Sequence, residues 1–207
     1  MVAYNVTIFG LELTLKPIAF SIPLGKNHWD IYWYGIIIAT GFLLALIYGM
    51  KNAKRFDINV DRLLDVVLVT VPVSILCARA YYVIFDGVKL NSFGDFFGFG
   101  DSSGFTGLAI YGGVIGAFLT GGIMCKLRKV NILDAFDLTA LGFLIGQGVG
   151  RWGNFVNQEA FGNLVAEPSL QFFPYGVYID ALGEWHQATF FYESMWNVCL
   201  LTAMLIV

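Results

Sequence analysis

Five stretches of this chain run close to 20 residues with few charges: 31–50, 63–85, 108–125, 133–150 and 188–207. A helix rises about 1.5 Å per residue, so each is long enough to cross a hydrocarbon layer about 30 Å thick. Only a helix or a closed barrel satisfies its own backbone there. The pattern therefore predicts an all-α, polytopic integral membrane helix bundle of about five spans, read as a single membrane domain over 1–207. With 57% hydrophobic and 13% charged residues, the chain falls well below the roughly 25% charged usage of soluble domains. Segment 11–24, interrupted by Lys16, Pro17 and Pro23, is too broken for a span and is expected along the interface. The first thirty residues lack a basic start, an apolar core and a small-residue cleavage site, so no removable signal peptide is read. A net charge of -3 without a long basic run gives no electrostatic footprint for nucleic acid.

Basic residues orient the spans, because Lys and Arg accumulate in cytoplasmic loops. Lys51, Lys54, Arg55 and Arg62 follow the first span, and Lys126, Arg128 and Lys129 follow the third. Segment 86–107 has only Lys89, and 152–187 has no Lys or Arg. These two are expected as extracytoplasmic loops, with the amino terminus also outside. Segment 86–107 alternates Phe with Gly and Asp and reads equally as a flap dipping into the headgroups or as a plain connector. The run LLTAMLIV at 200–207 is still apolar and lacks a basic anchor, so it is expected to be an interrupted end of the bundle.

Three cysteines, Cys77, Cys125 and Cys199, lie far apart inside apolar segments. They offer no disulfide framework and no metal-ligand spacing, and read as small buried hydrophobes. Gly142, Gly146 and Gly150 recur at every fourth position, as do Gly112 and Gly116, which suits close helix approach.

Arginine inside a span is costly and is a functional candidate by default. Arg79 has few polar neighbours in sequence, and pairing with an acid or a carbonyl is expected for it. Arg151 is followed by Asn154, Asn157, Gln158 and Glu159. If the helix continues past Gly150, then Arg151, Asn154 and Gln158 share one face, with Gly162 a turn further on. A guanidinium presents a planar fork of donors suited to phosphate, and nearby amides can orient it or bind hydroxyls. The plain alternative is an arginine snorkelling to the interface.

The stretch GQGVGRWGNFVNQEAFG at 146–162 closely resembles the signature of the phosphatidylglycerol:prolipoprotein diacylglyceryl transferase family, bacterial enzymes of lipoprotein lipidation. WYGIIIATGF from Trp33, ARAYYVIF from Ala78, AIYGGVIGA from Ala109 and TFFYES from Thr189 match further family segments in order. The resemblance implies a multi-pass protein of the bacterial plasma (inner) membrane. Its reaction would carry diacylglyceryl from phosphatidylglycerol to the lipobox cysteine of a prolipoprotein signal peptide, without cofactor or metal. It implies that Arg151 binds the phosphate, and that Asn154, Gly162, Tyr34, Gly112 and Gly113 belong to the substrate-binding set. Glu159 and Tyr111 are the implied candidates for the base, or for orienting substrate. Tyr111 stands where many members have histidine; with a reference pKa of about 10 a phenol is the poorer base near neutrality. Relatives tend to read His-Pro-Thr where this chain has Gln187, Ala188 and Thr189, so His186, displaced by one, is assigned no catalytic part. The second essential arginine that the family carries on a later helix has no counterpart up to Val207.

Glu193, inside the fifth span, is expected to brace an arginine or a backbone group rather than to carry protons. A small anion transporter or channel is the competing reading, although the sequence shows no internal repeat. A noncatalytic scaffold would explain the glycine ridges and leave the amides after Arg151 unexplained. An intramembrane serine protease lacks its nucleophile turn, and the two histidines, His28 and His186, lie outside the spans.

Overall fold

A computed structural model describes residues 3–9, 11–24, 27–85, 93–97 and 107–206. Most of the Phe- and Gly-rich segment 86–107, with Lys89, lies outside the described residues. Among the described residues, five helices are long and apolar enough to cross a membrane, at Trp33–Phe56, Val60–Phe85, Ile110–Leu127, Ile132–Asn157 and Thr189–Ile206. The chain is a multi-pass membrane protein with a helix-bundle fold, as hydropathy predicts. Large apolar side chains on these helices face outward, Leu68 at 70% and Leu119 at 63% exposure among them; in a bilayer lipid covers them.

Two compact units are distinguished, 50–138 and a second made of 1–49 with 139–207. In the unit 50–138, helix α2 (Val60–Phe85) packs along α4 (Ile110–Leu127), with a one-turn helix α3 (Phe93–Phe96) between them in sequence. Asn59 caps α2, its Oδ1 accepting from the Asp61 and Arg62 amides at 2.9 and 3.2 Å, as a short amide side chain does at a helix start. Gly112 and Gly116 lie against α2, where an added Cβ on Gly116 would stand 2.6 Å from the Cys77 Cβ. The α4 ridge is thus a packing seam. Arg79 is buried at 6% exposure and donates from Nε to the Phe96 carbonyl at 2.9 Å and from Nη1 to the Gly107 carbonyl at 3.2 Å. Backbone carbonyls satisfy its cost of burial.

In the other unit the chain opens with two antiparallel hairpins, β1 (Tyr4–Ile8) with β2 (Leu11–Leu15), and β3 (Ile18–Leu24) with β4 (Asn27–Tyr32). Residues 11–24, expected along the interface, are therefore strand. The Lys16-Pro17 break in the apolar run is the connection between hairpins, and Pro23 sits in a two-stranded sheet, where a missing N–H is tolerated. The β4 strand runs directly into α1 (Trp33–Asn52), its start fixed by the Trp33 amide donating to the Pro17 carbonyl at 2.9 Å. Helix α5 (Ile132–Asn157) continues seven residues past Gly150, the end that hydropathy suggested. A third hairpin, β5 (Gly176–Ile179) with β6 (Glu184–Gln187), precedes α6 (Thr189–Ile206).

A two-stranded hairpin is marginal alone, and β1 is stabilised by burying its inward face. Tyr4 and Val6 join Phe155 of α5, Phe173, Val177 and Ile179 around β5, and Ala188 and Phe190 at the start of α6 in one apolar cluster. The Tyr4 hydroxyl has no hydrogen-bond partner among the described residues, and burial pushes its pKa up to about 12. An unpaired buried hydroxyl costs about 1–3 kcal/mol, so Tyr4→Phe is expected to leave thermal stability unchanged or raise it. Below pH about 10 the native phenol is neutral whether folded or not. Between 10 and about 12 the unfolded chain releases the proton that the folded chain retains. Stability therefore declines across that window, and Tyr4→Phe removes this part of the decline, read by thermal unfolding from pH 8 to 12.

Candidate active site

Helices α1, α5 and α6 carry the polar residues of the unit that contains Arg151. Gly146, Gly150 and Gly153 of α5 face α1: an added Cβ on Gly150 would lie 3.1 Å from the Ile38 Cδ1, and one on Gly153 would lie 2.8 Å from the Tyr34 ring. These glycines let Tyr34 rest on α5 within a turn of Arg151.

Arg151 sits two turns before the end of α5, with its side chain 27% exposed. One Nη pairs with the Glu193 carboxylate of α6 and the other reaches Asn154 Oδ1 at 3.4 Å. Asn154 Nδ2 donates in turn to Glu159 Oε1 at 3.1 Å, and Asn157 Nδ2 approaches the same oxygen at 3.4 Å. A chain of polar contacts thus runs Glu193, Arg151, Asn154, Glu159. A guanidinium has five N–H donors, and among the described residues these two contacts leave the rest of its fork open.

The helix ends where the stripe was expected to continue. Gln158 has a φ of 50°, so its side chain leaves the Arg151 face. It instead spans the β5–β6 hairpin, accepting from the Asp180 amide at 3.0 Å and donating to the Tyr178 carbonyl at 3.3 Å. Short amide side chains readily satisfy loop backbone in this way. Gly162 is likewise off the helix: its amide donates to the Gln187 carbonyl at 3.0 Å. A Cβ there would meet the Thr189 Cγ2 at 2.8 Å, so glycine is required for close packing. His186 Nδ1 lies 2.9 Å from the Gly162 carbonyl, tying the histidine to this loop.

The unit thus gathers Arg151, Asn154, Glu159 and Tyr34 in one neighbourhood. Tyr111, Gly112 and Gly113 belong to α4 in the unit 50–138. There Tyr111 is 72% exposed, Gly112 is packed on α2, and Gly113 lies 3.5 Å, for an added Cβ, from Ala78 Cβ. Sequence reasoning gave Ser194 no role, yet it is 2% exposed. Its Oγ donates to the Gly148 carbonyl at 2.8 Å and accepts from Trp152 Nε1 at 3.1 Å. A polar residue directly after Glu193 in an apolar helix was the available signal.

The family model for prolipoprotein diacylglyceryl transferase matches residues 17–207. The chain belongs to the prolipoprotein diacylglyceryl transferase family. It is a transferase of the first step in lipoprotein maturation, which sets aside the transporter reading. It is 42% identical over 197 residues to phosphatidylglycerol–prolipoprotein diacylglyceryl transferase 1 of Clostridium perfringens, covering 93% of this chain and 71% of that one. The corresponding protein of Clostridium novyi is 41% identical over 201 residues, at 93% and 73% coverage. That of Bacillus licheniformis is 41% identical over 190 residues, at 88% and 67%. The β1–β2 hairpin lies ahead of the matched family segment.

Proposed function

We propose that this chain transfers the diacylglyceryl group of phosphatidylglycerol to the lipobox cysteine thiol of a prolipoprotein, at the extracytoplasmic side of a bacterial plasma membrane. The observation that carries this reading is Arg151: a half-buried guanidinium braced by Glu193 and Asn154, with the remainder of its fork open. In the reaction the cysteine sulfur attacks the glyceryl carbon bonded to the phosphate oxygen. A carbon–sulfur bond forms, the carbon–oxygen bond breaks, and its electron pair departs on glycerol phosphate. The phosphate gains negative charge as that bond breaks, so a fixed cation beside it stabilises the transition state more than the bound lipid. The thiol, with a pKa of about 8.5 in water, must also lose its proton in a poorly hydrated place.

Glu159 is the better-supported proton acceptor of the two candidates. Its Oε1 takes the amide contacts of Asn154 and Asn157, which leaves Oε2 to receive a proton. Tyr34, Asn154 and Gly162, which share a unit with Arg151, serve to orient substrate. Both substrates are membrane-anchored and arrive in the bilayer plane, in keeping with a site two turns inside the end of a spanning helix.

The test places the full-length protein in vesicles with a lipobox peptide and follows the peptide mass and glycerol phosphate release. Phosphatidylglycerol vesicles are expected to give a diacylglyceryl adduct on cysteine with equimolar glycerol phosphate. A peptide with serine at that position is expected to give none. Adduct formation that ignores the phospholipid headgroup, or ion flux without any adduct, rejects the reading.

A further inference from the structure

We propose that Glu193 is a positioning residue that aims Arg151 at the phosphate, as the central member of a three-residue clamp on α6. Successive helical residues project about 100° apart, so neighbours on one helix reach different partners. The Tyr192 hydroxyl donates to the Tyr175 carbonyl, Glu193 pairs with Arg151, and Ser194 bonds both the Gly148 carbonyl and Trp152 Nε1. Gly148 and Trp152 flank Arg151 on α5. The buried Ser194 therefore fixes the rotation and height of α6 against the stretch of α5 that bears the arginine. The Glu193 carboxylate is delivered to one edge of the guanidinium by two rigid helices rather than by a search of flexible side chains. Asn154 meets the second Nη, and the planar fork then has one remaining edge to offer.

This inference rests on the function proposed above, and it separates Glu193 from proton transfer: its carboxylate is engaged with the Arg151 guanidinium. It also sets a kinetic signature. The carboxylate competes with phosphate for Arg151 in the ground state, while it holds the fork in the orientation that the departing phosphate needs. Removing its charge leaves lipid binding as strong or stronger, and makes productive alignment rarer.

In phosphatidylglycerol vesicles with a lipobox peptide, Glu193→Gln is expected to lower kcat about tenfold. Its KM for the lipid should be unchanged or lower, and its pH–rate profile should keep the native shape. Ser194→Ala, which loosens the register without touching charge, is expected to lower kcat about threefold in the same pattern. Lipid binding to detergent-solubilised protein, followed by tryptophan fluorescence, needs no turnover and is expected to be no weaker in Glu193→Gln. Thermal unfolding of each variant confirms the fold, and Ser194→Ala carries the test if Glu193→Gln does not fold. Native kcat in Glu193→Gln, weaker lipid binding, or loss of a limb of the pH profile would overturn the proposal. A native protein that neither binds nor transfers the lipid rejects the proposed function and this inference with it. A native protein that transfers no faster than Glu193→Gln rejects only this inference.

Discussion

Arg151→Ala is expected to slow diacylglyceryl transfer on the order of a hundredfold. A preorganised donor acting on charge that develops in the transition state is worth about 3 kcal/mol, and each 1.36 kcal/mol is tenfold in rate. The same substitution leaves Glu193 without its cation, which by itself destabilises a half-buried site, so stability has to be separated from rate. The double variant Arg151→Ala with Glu193→Gln does this: it is expected to recover thermal stability without recovering transfer. Arg151→Lys keeps a charge but loses the planar fork, and is expected to fall between native and alanine. An arginine that merely snorkels to the interface would give an alanine variant within a fewfold of native rate.

The arginine was legible as a candidate from its position in an apolar run, and Glu193 as a brace for an arginine or a backbone group; which arginine it braces was not. Glu193 is far from Arg151 in sequence and joins it only because α5 and α6 pack, a contact that local spacing cannot encode. The five spans were legible because lipid demands uninterrupted apolar length. The end of α5 was not, because hydropathy drops at Arg151 while the backbone stays helical to Asn157. Its last two turns carry Arg151, Asn154 and Asn157, so hydrophobicity reports the wrong boundary. Gln158 shows the converse: its spacing suits the arginine face, but its backbone turns to φ 50° and commits the side chain to the hairpin. The three hairpins were missed because each strand is short, and one contains Pro23. Long-range burial of Tyr4 and Val6, rather than any local pattern, holds β1 in place.

Gly112→Ala is expected to unfold or grossly destabilise the α2–α4 pair, whereas Gly113→Ala, one residue along, should be nearly silent in stability. A Cβ on Gly112 would overlap the Cys77 carbonyl oxygen and the Tyr81 Cβ, and stand 3.0 Å from the Ala78 Cα. Two of those atoms belong to backbone and cannot rotate away, so α4 would have to lift off α2. Overpacking of this kind costs about 3 kcal/mol at the upper end of its usual range, a loss readable as a fall in the detergent melting temperature. On Gly113 the nearest atom to an added Cβ is the Ala78 Cβ, at 3.5 Å, an ordinary contact. The pair thus divides two roles that the family resemblance lumps together. If Gly113 touches substrate, alanine there raises KM for phosphatidylglycerol with the melting temperature held. If it only packs, neither quantity moves. Equal losses of stability at the two positions would contradict the packing of α4 on α2, and with it the reading of Gly112 and Gly116 as a helix seam.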